Sequence, residues 1–124
     1  MASKRSVLIT GCSKGGLGDA LARAFHAHGL RVIATARNLS KIEHLKTLGI
    51  ETLTLDVTSQ ESIKTCIQEV TNLTVGSLDI LLNNSGVGYH LPLTDVSIDA
   101  AREVFDLNVW AVLRHDPSVH AFAP

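Results

Sequence analysis

The chemistry available to this chain is concentrated where its glycines cluster. The run Val7-Leu8-Ile9-Thr10-Gly11-Cys12-Ser13-Lys14-Gly15-Gly16-Leu17-Gly18 passes from branched apolar residues through a glycine-rich bend into a segment of helical periodicity. A strand, a tight turn and a helix start let the backbone approach a ligand closely. The N–H groups and dipole of the helix start then attract a phosphate or pyrophosphate. The run therefore predicts the anchor of a dinucleotide. It is not a G-x-G-x-x-G fingerprint, because Leu21 stands where the third glycine belongs. Nor is it the phosphate loop of nucleotide triphosphatases, because Leu17-Gly18 occupies the place of Lys-Ser/Thr. A tight turn with no ligand is the plainer alternative.

The elements that must position this loop follow from periodicity. Strands are expected over 6–10, 31–36, 51–55 and 78–82. Leu17, Leu21, Ala24 and Phe25 make one apolar helix face that ends at Gly29, and a short helix over 40–48 closes at Gly49. Thr58 and Glu61 read as a capping box for a helix that buries Ile63, Cys66, Ile67 and Val70. After a loop through Gly86, Gly88 and Pro92, a helix over 97–113 is expected to bury Ile98, Ala101, Phe105, Val109 and Val112. Strands alternating with amphipathic helices imply right-handed crossovers. The expected fold is α/β: the N-terminal part of a Rossmann-type doubly wound parallel sheet, order 3-2-1-4, in three α/β/α layers. Ligands of such sheets lie beyond the carboxyl ends of the strands, where residues 11–18, Arg37, Asp56 and 83–86 all fall.

Bulk properties restrict the function further. The chain has 124 residues, 45% of them hydrophobic and 19% charged, which suits one soluble globular domain. A net charge of −1 offers no electrostatic case for nucleic acid or an anionic membrane as partner. Cys12 and Cys66 make no disulfide framework and suit a reducing compartment. No sequence feature gives Cys12 a base, so it reads as a small loop residue and not a nucleophile. Nowhere do about 18 apolar residues follow one another, and a cytosol-facing protein without a transmembrane segment is expected. His26 and His28 are two apart on a helix, and His44, His90, His115 and His120 are scattered, so no metal site is expected.

At this point the residues resemble the short-chain dehydrogenase/reductase family. The likeness rests on Thr10-Gly11-x-x-x-x-Gly16-x-Gly18, Asp56-Val57, Asn83-Asn84-Ser85-Gly86 and Asn108, and it reaches about Leu113. The loop is one residue longer than the family's, and Ser85 stands where the family usually has Ala. The resemblance implies that the loop, with Gly11, Ser13, Lys14, Gly16, Leu17 and Gly18, holds the pyrophosphate. It implies further that Asp56 bonds the adenine amino group beside Val57, and that Asn84, with Ser85 and Gly86, lies near the ribose. The runs 10–13 and Ala34-Thr35-Ala36-Arg37-Asn38 are similar to a fungal branch of NADPH-dependent 1-acyldihydroxyacetone-phosphate reductases, which act at endoplasmic reticulum or lipid droplets.

The choice of cofactor follows from charge. An acid at the end of the second strand would bind the ribose 2′-hydroxyl of NAD, whereas an arginine suits the 2′-phosphate of NADP. This strand ends in Arg37 with no acid, and Lys14 supplies a second positive charge, so NADP(H) is expected.

By the same resemblance the reaction is reduction of a carbonyl to an alcohol on a small-molecule substrate, with a lipid among the candidates and a homo-oligomer among the assemblies it allows. A Tyr, a Lys, a Ser and an Asn serve as the catalytic set, and Asn108 matches the Asn. Tyr89 is the sole tyrosine, and Leu93 stands four residues on where Lys would be needed. Helical pattern stops at Leu113, and Arg114-His115-Asp116-Pro117-Ser118 breaks it. The expectation is therefore an incomplete dinucleotide-binding domain over 1–113 with an atypical tail over 114–124. Such a truncated chain would bind cofactor weakly, turn nothing over and expose residues 78–82 as an apolar sheet edge. A noncatalytic nucleotide-binding or interaction module is the alternative. A methyltransferase using S-adenosylmethionine would want an acid where Arg37 stands.

Overall fold

The computed structural model of the chain describes residues 4–75, 78–86 and 97–105. In chain order the elements are β1 (Ser6–Ile9), α1 (Leu17–Ala27), β2 (Arg31–Ala36), a 3-10 turn (Leu39–Lys41), α2 (Glu43–Lys46), β3 (Glu51–Thr54), α3 (Gln60–Thr74), β4 (Ile80–Leu82) and α4 (Ile98–Phe105). The strands form one parallel sheet in the order β3-β2-β1-β4. Val7 is flanked by Val32 on one side and Ile80 on the other. This is the doubly wound, Rossmann-type sheet expected from the alternation of strands and helices.

β1 and β2 read as continuous apolar runs because both faces of each are covered. Val7, Ile9, Val32, Ala34 and Ala36 meet Ala22 of α1 and Leu45 of α2. Leu8 and Ile33 point the other way, toward Ile63, Cys66 and Val70 of α3. The alternation of one strand thus feeds two cores, which makes the three layers. Gly29 ends α1 at φ 86°, where the Leu30 N–H reaches back to Phe25 O at 3.1 Å.

Four local expectations are corrected. In α1, Leu21 and Phe25 of the expected stripe pack against the core, but Leu17 is 68% exposed and Ala24 is exposed, while Gly18, Asp19 and Ala22 are buried. The helix expected over 40–48 is a 3-10 turn and a separate α2, broken at Ile42 (φ −126°), which lets Ile42 and Leu45 both enter the core. The α3 cap is Ser59, whose Oγ accepts the Ser62 N–H at 3.1 Å, and not the Thr58 and Glu61 pair. Thr58 is drawn away by Asp56, whose Oδ1 accepts its hydroxyl at 2.6 Å and its N–H at 3.0 Å. In α4 the half-buried side chains are Ala100, Ala101 and Val104, while Ile98 (66%) and Phe105 (57%) are exposed. Val109, Val112, Gly88, Pro92 and the expected tail lie outside the described residues. Among the described residues no helix is long and apolar enough to cross a membrane.

Candidate functional site

The loop between β1 and α1 is held from several sides. Gly11 adopts φ 71°, a region that suits glycine, and a Cβ there would stand 3.0 Å from Ser85 Cα. Cys12 turns inward: its N–H donates to Thr35 O at 2.9 Å and its thiol to Ile9 O at 3.3 Å. Burial pushes that thiol up to about 11, so it stays protonated at neutral pH. The Lys14 N–H donates to Lys41 O at 2.9 Å, and the Gly16 N–H to Ser13 O at 3.1 Å.

The far wall comes from the end of β4. The N–H groups of Asn84 and Ser85 both donate to Thr10 Oγ1 at 2.9 Å. The Asn84 amide also donates to Thr10 O at 3.1 Å and Gly11 O at 3.0 Å. Gly18 packs beneath this junction, where a Cβ would strike Gly11 O and stand 2.6 Å from Asn84 Nδ2. Only a residue without a side chain lets α1 approach so closely.

Between these walls is a cavity of about 350 Å³. Gly11, Ser13, Gly16 and Leu17 line it from the loop, Ala36 and Arg37 from the end of β2, Leu55 and Val57 from beyond β3, and Asn84, Ser85 and Gly86 from beyond β4. All four groups lie at the carboxyl ends of the parallel strands. Gly16, the N-cap of α1, has no side chain to offer, so the first turn carries uncapped N–H groups at the cavity wall. With the helix dipole, these favour an anion. The exposed Arg37 adds a full positive charge across the cavity.

Of the residues singled out from the sequence, Lys14, Gly18 and Asp56 do not line the cavity. Lys14 is exposed beside it, and Gly18 lies under the loop. The Asp56 carboxylate accepts both Thr58 bonds. Those bonds, with Arg37 nearby, outweigh its burial and hold it below the usual carboxylate range. Asn108 lies outside the described residues.

Ala36 and Leu55 were not singled out from the sequence, nor was Asp19. Asp19 is 2% exposed, and its Oδ2 accepts the Gly15 N–H at 3.0 Å. Burial alone would raise its pKa, but the Gly15 N–H, His44 and Arg23 together hold it below the ordinary value. A signal was available: counted from Gly16, Asp19 is the third residue of the helix, where an acid can reach back to the N–H groups before it. Among the described residues, no group of three or more His, Cys, Asp or Glu side chains is placed to hold a metal.

Comparison with known proteins agrees with this geometry. A sequence profile described as short chain dehydrogenase matches residues 5–120. A short-chain dehydrogenase/reductase of Pestalotiopsis microspora is 54% identical over 113 residues, covering 91% of this chain and 40% of that protein. The NADPH-dependent 1-acyldihydroxyacetone phosphate reductase of Schizosaccharomyces pombe is 44% identical over 114 residues, covering 92% of this chain and 38% of its own length. Among solved structures, NADPH-bound carbonyl reductase from chicken fatty liver superposes with a TM-score of 0.88 at 26% identity, over 96% of this chain and 48% of that one. A short-chain dehydrogenase from Streptomyces avermitilis gives 0.87 at 30% identity, over 96% and 44% of the two chains. The chain thus spans about 40% of the length of these curated relatives.

Proposed function

The chain belongs to the short-chain dehydrogenase family, and on that premise we propose that it forms the NADP(H)-binding part of an oxidoreductase reducing a carbonyl to an alcohol. The observation that carries the reading is the convergence of four strand ends on one cavity, with uncapped N–H groups on one wall and Arg37 on another. An anionic dinucleotide fits that arrangement, because its pyrophosphate can lie against Gly16 and Leu17 while a 2′-phosphate meets Arg37. Lys14 adds charge from the rim. Val57 and Leu55 offer apolar surface to the adenine, and Asn84, Ser85 and Gly86 border the ribose. Asp56 serves the adenine side from just outside the cavity.

When bound, the reduced nicotinamide supplies a hydride for the carbonyl carbon. What these residues do is bind and orient the dinucleotide and hold its phosphates. Asn108 is assigned the water-relay role of the family's Asn. The sequence holds no Tyr-x-x-x-Lys, since Leu93 follows Tyr89 by four residues. The 124 residues alone are therefore proposed to bind cofactor without turning over a carbonyl.

The proposed substrate is a lipid ketone of the 1-acyldihydroxyacetone phosphate class, supported by the name of the S. pombe relative. A cytosol-facing site at endoplasmic reticulum or lipid droplets accords with that substrate. Fluorescence titration with NADPH and NADH tests the cofactor reading: NADPH should bind more tightly. Equal affinity for the two, or binding of neither, would overturn it.

A further inference from the structure

Asp19 does not touch the cavity, yet its carboxylate is the most heavily engaged in the vicinity of the loop. Its oxygens are divided. Oδ2 accepts the Gly15 N–H at 3.0 Å and Arg23 Nη2 at 3.2 Å, while Oδ1 stands 2.7 Å from His44 Nε2. An ionised carboxylate only accepts, so the imidazole presents its N–H at Nε2. A buried carboxylate is tolerated where such partners offset its lost hydration, and removal of one partner leaves the charge undercompensated.

His44 belongs to α2, in the stretch that starts where β2 delivers Arg37 to the cavity. The same stretch is tied to the glycine loop a second time, by Lys14 N–H to Lys41 O at 2.9 Å. Two walls of the cavity, the loop and the Arg37 segment, are therefore fastened to each other behind it.

We infer that Asp19 is a positioning residue, which with His44 fixes the separation between the glycine loop and the segment carrying Arg37, and so favours ligands with phosphates at both places. The inference rests on the dinucleotide reading given above. A ligand that spans both walls should feel the loss of this link. One that touches a single wall should not.

Asp19→Ala removes a buried partner of three groups and is prone to unfold the chain, so the test uses His44, which is 26% exposed. The ligands are NADPH, which spans both walls, and adenosine 2′-monophosphate, which reaches only the Arg37 side. Exchange of the Gly15 amide, followed by NMR in the unliganded chain, reads the link directly. His44→Ala should speed that exchange by about tenfold and weaken NADPH by about tenfold, the effect of one charge-assisted hydrogen bond. Adenosine 2′-monophosphate should change little. His44→Gln, which keeps a donor, should restore most of both losses. Gly15 exchange equal to the parent's, or equal losses for the two ligands, would overturn the inference. Should the parent bind neither ligand, the dinucleotide reading fails, and the Gly15 exchange still decides whether the link exists.

Discussion

The side-chain amide of Asn84 lies 3.0 Å from Gly11 O and donates to it, joining the loop after β4 to the first glycine after β1. The same nitrogen serves Thr10 O at 3.1 Å, so one side chain covers two carbonyls of the bend. Asn84→Ala should therefore cost roughly 1–3 kcal/mol, the range for leaving buried acceptors unpaired. Asn84→Asp should cost more, because a carboxylate would face two carbonyl oxygens. Urea unfolding of both variants measures this, and an Asp variant as stable as the parent contradicts it.

Gly18 offers a contest between two effects. Alanine is favoured over glycine by about 1 kcal/mol inside a helix, but here its Cβ would strike the Gly11 carbonyl. Backbone cannot move aside as a side chain can, so overpacking of about 1–3 kcal/mol should win. Gly18→Ala is expected to lower the thermal midpoint and weaken NADPH binding together. A higher midpoint would show that propensity prevails.

Among the described residues that line the cavity, Arg37 alone carries a full charge. A charge-assisted contact to a 2′-phosphate contributes roughly 1.5–3 kcal/mol. Arg37→Ala should therefore weaken NADPH by about ten- to a hundredfold and leave NADH little changed. Parallel titrations check this, and equal losses refute the assignment.

The pH dependence of stability has a definite sign. Asp19 and Asp56 are both held below the ordinary carboxylate value in the folded chain. Their contribution is complete above the unfolded value of about 3.9 and is lost as pH falls through the lower folded values. Urea midpoints should thus fall steeply below about pH 4. Asp56→Asn should flatten that acid limb, an expectation that fails if the two midpoint profiles run parallel.

Both thiols should be silent in the folded protein. Cys12 and Cys66 are buried, and desolvation pushes them up to about 11 and about 12. A thiol reagent at pH 8 should label neither until urea is added, and then both. Rapid labelling of Cys12 in the native chain would mean that the glycine loop opens.

Much of the architecture was legible because it depends on short-range pattern. Val7 to Ile9 and Val32 to Ala36 are apolar throughout since both sheet faces are covered, and Gly29 marks the end of α1 where a left-handed residue is required. The glycine bend and the strand-end positions of Arg37, Val57 and Asn84 followed from the same register. What escaped depends on partners distant in sequence or on competition between neighbours. Asp19 looks like a surface acid until His44, 25 residues on, is folded against it. Thr58 and Ser59 are equally good caps on paper, and the Asp56 carboxylate decides between them by taking Thr58. The exposed side of α4 could not be read from Ile98 and Phe105, because the partly covered side of the described helix carries Ala100, Ala101 and Val104 instead.

The hydroxyl of Thr10 waits for N–H groups that arrive 74 and 75 residues later in the chain. During synthesis β1 can pair with β2 early, yet the bend that follows β1 gains its far support only after β4 has left the ribosome. In the dinucleotide reading proposed above, a finished nucleotide cradle therefore has to follow β4 and cannot arise from β1, α1 and β2 alone.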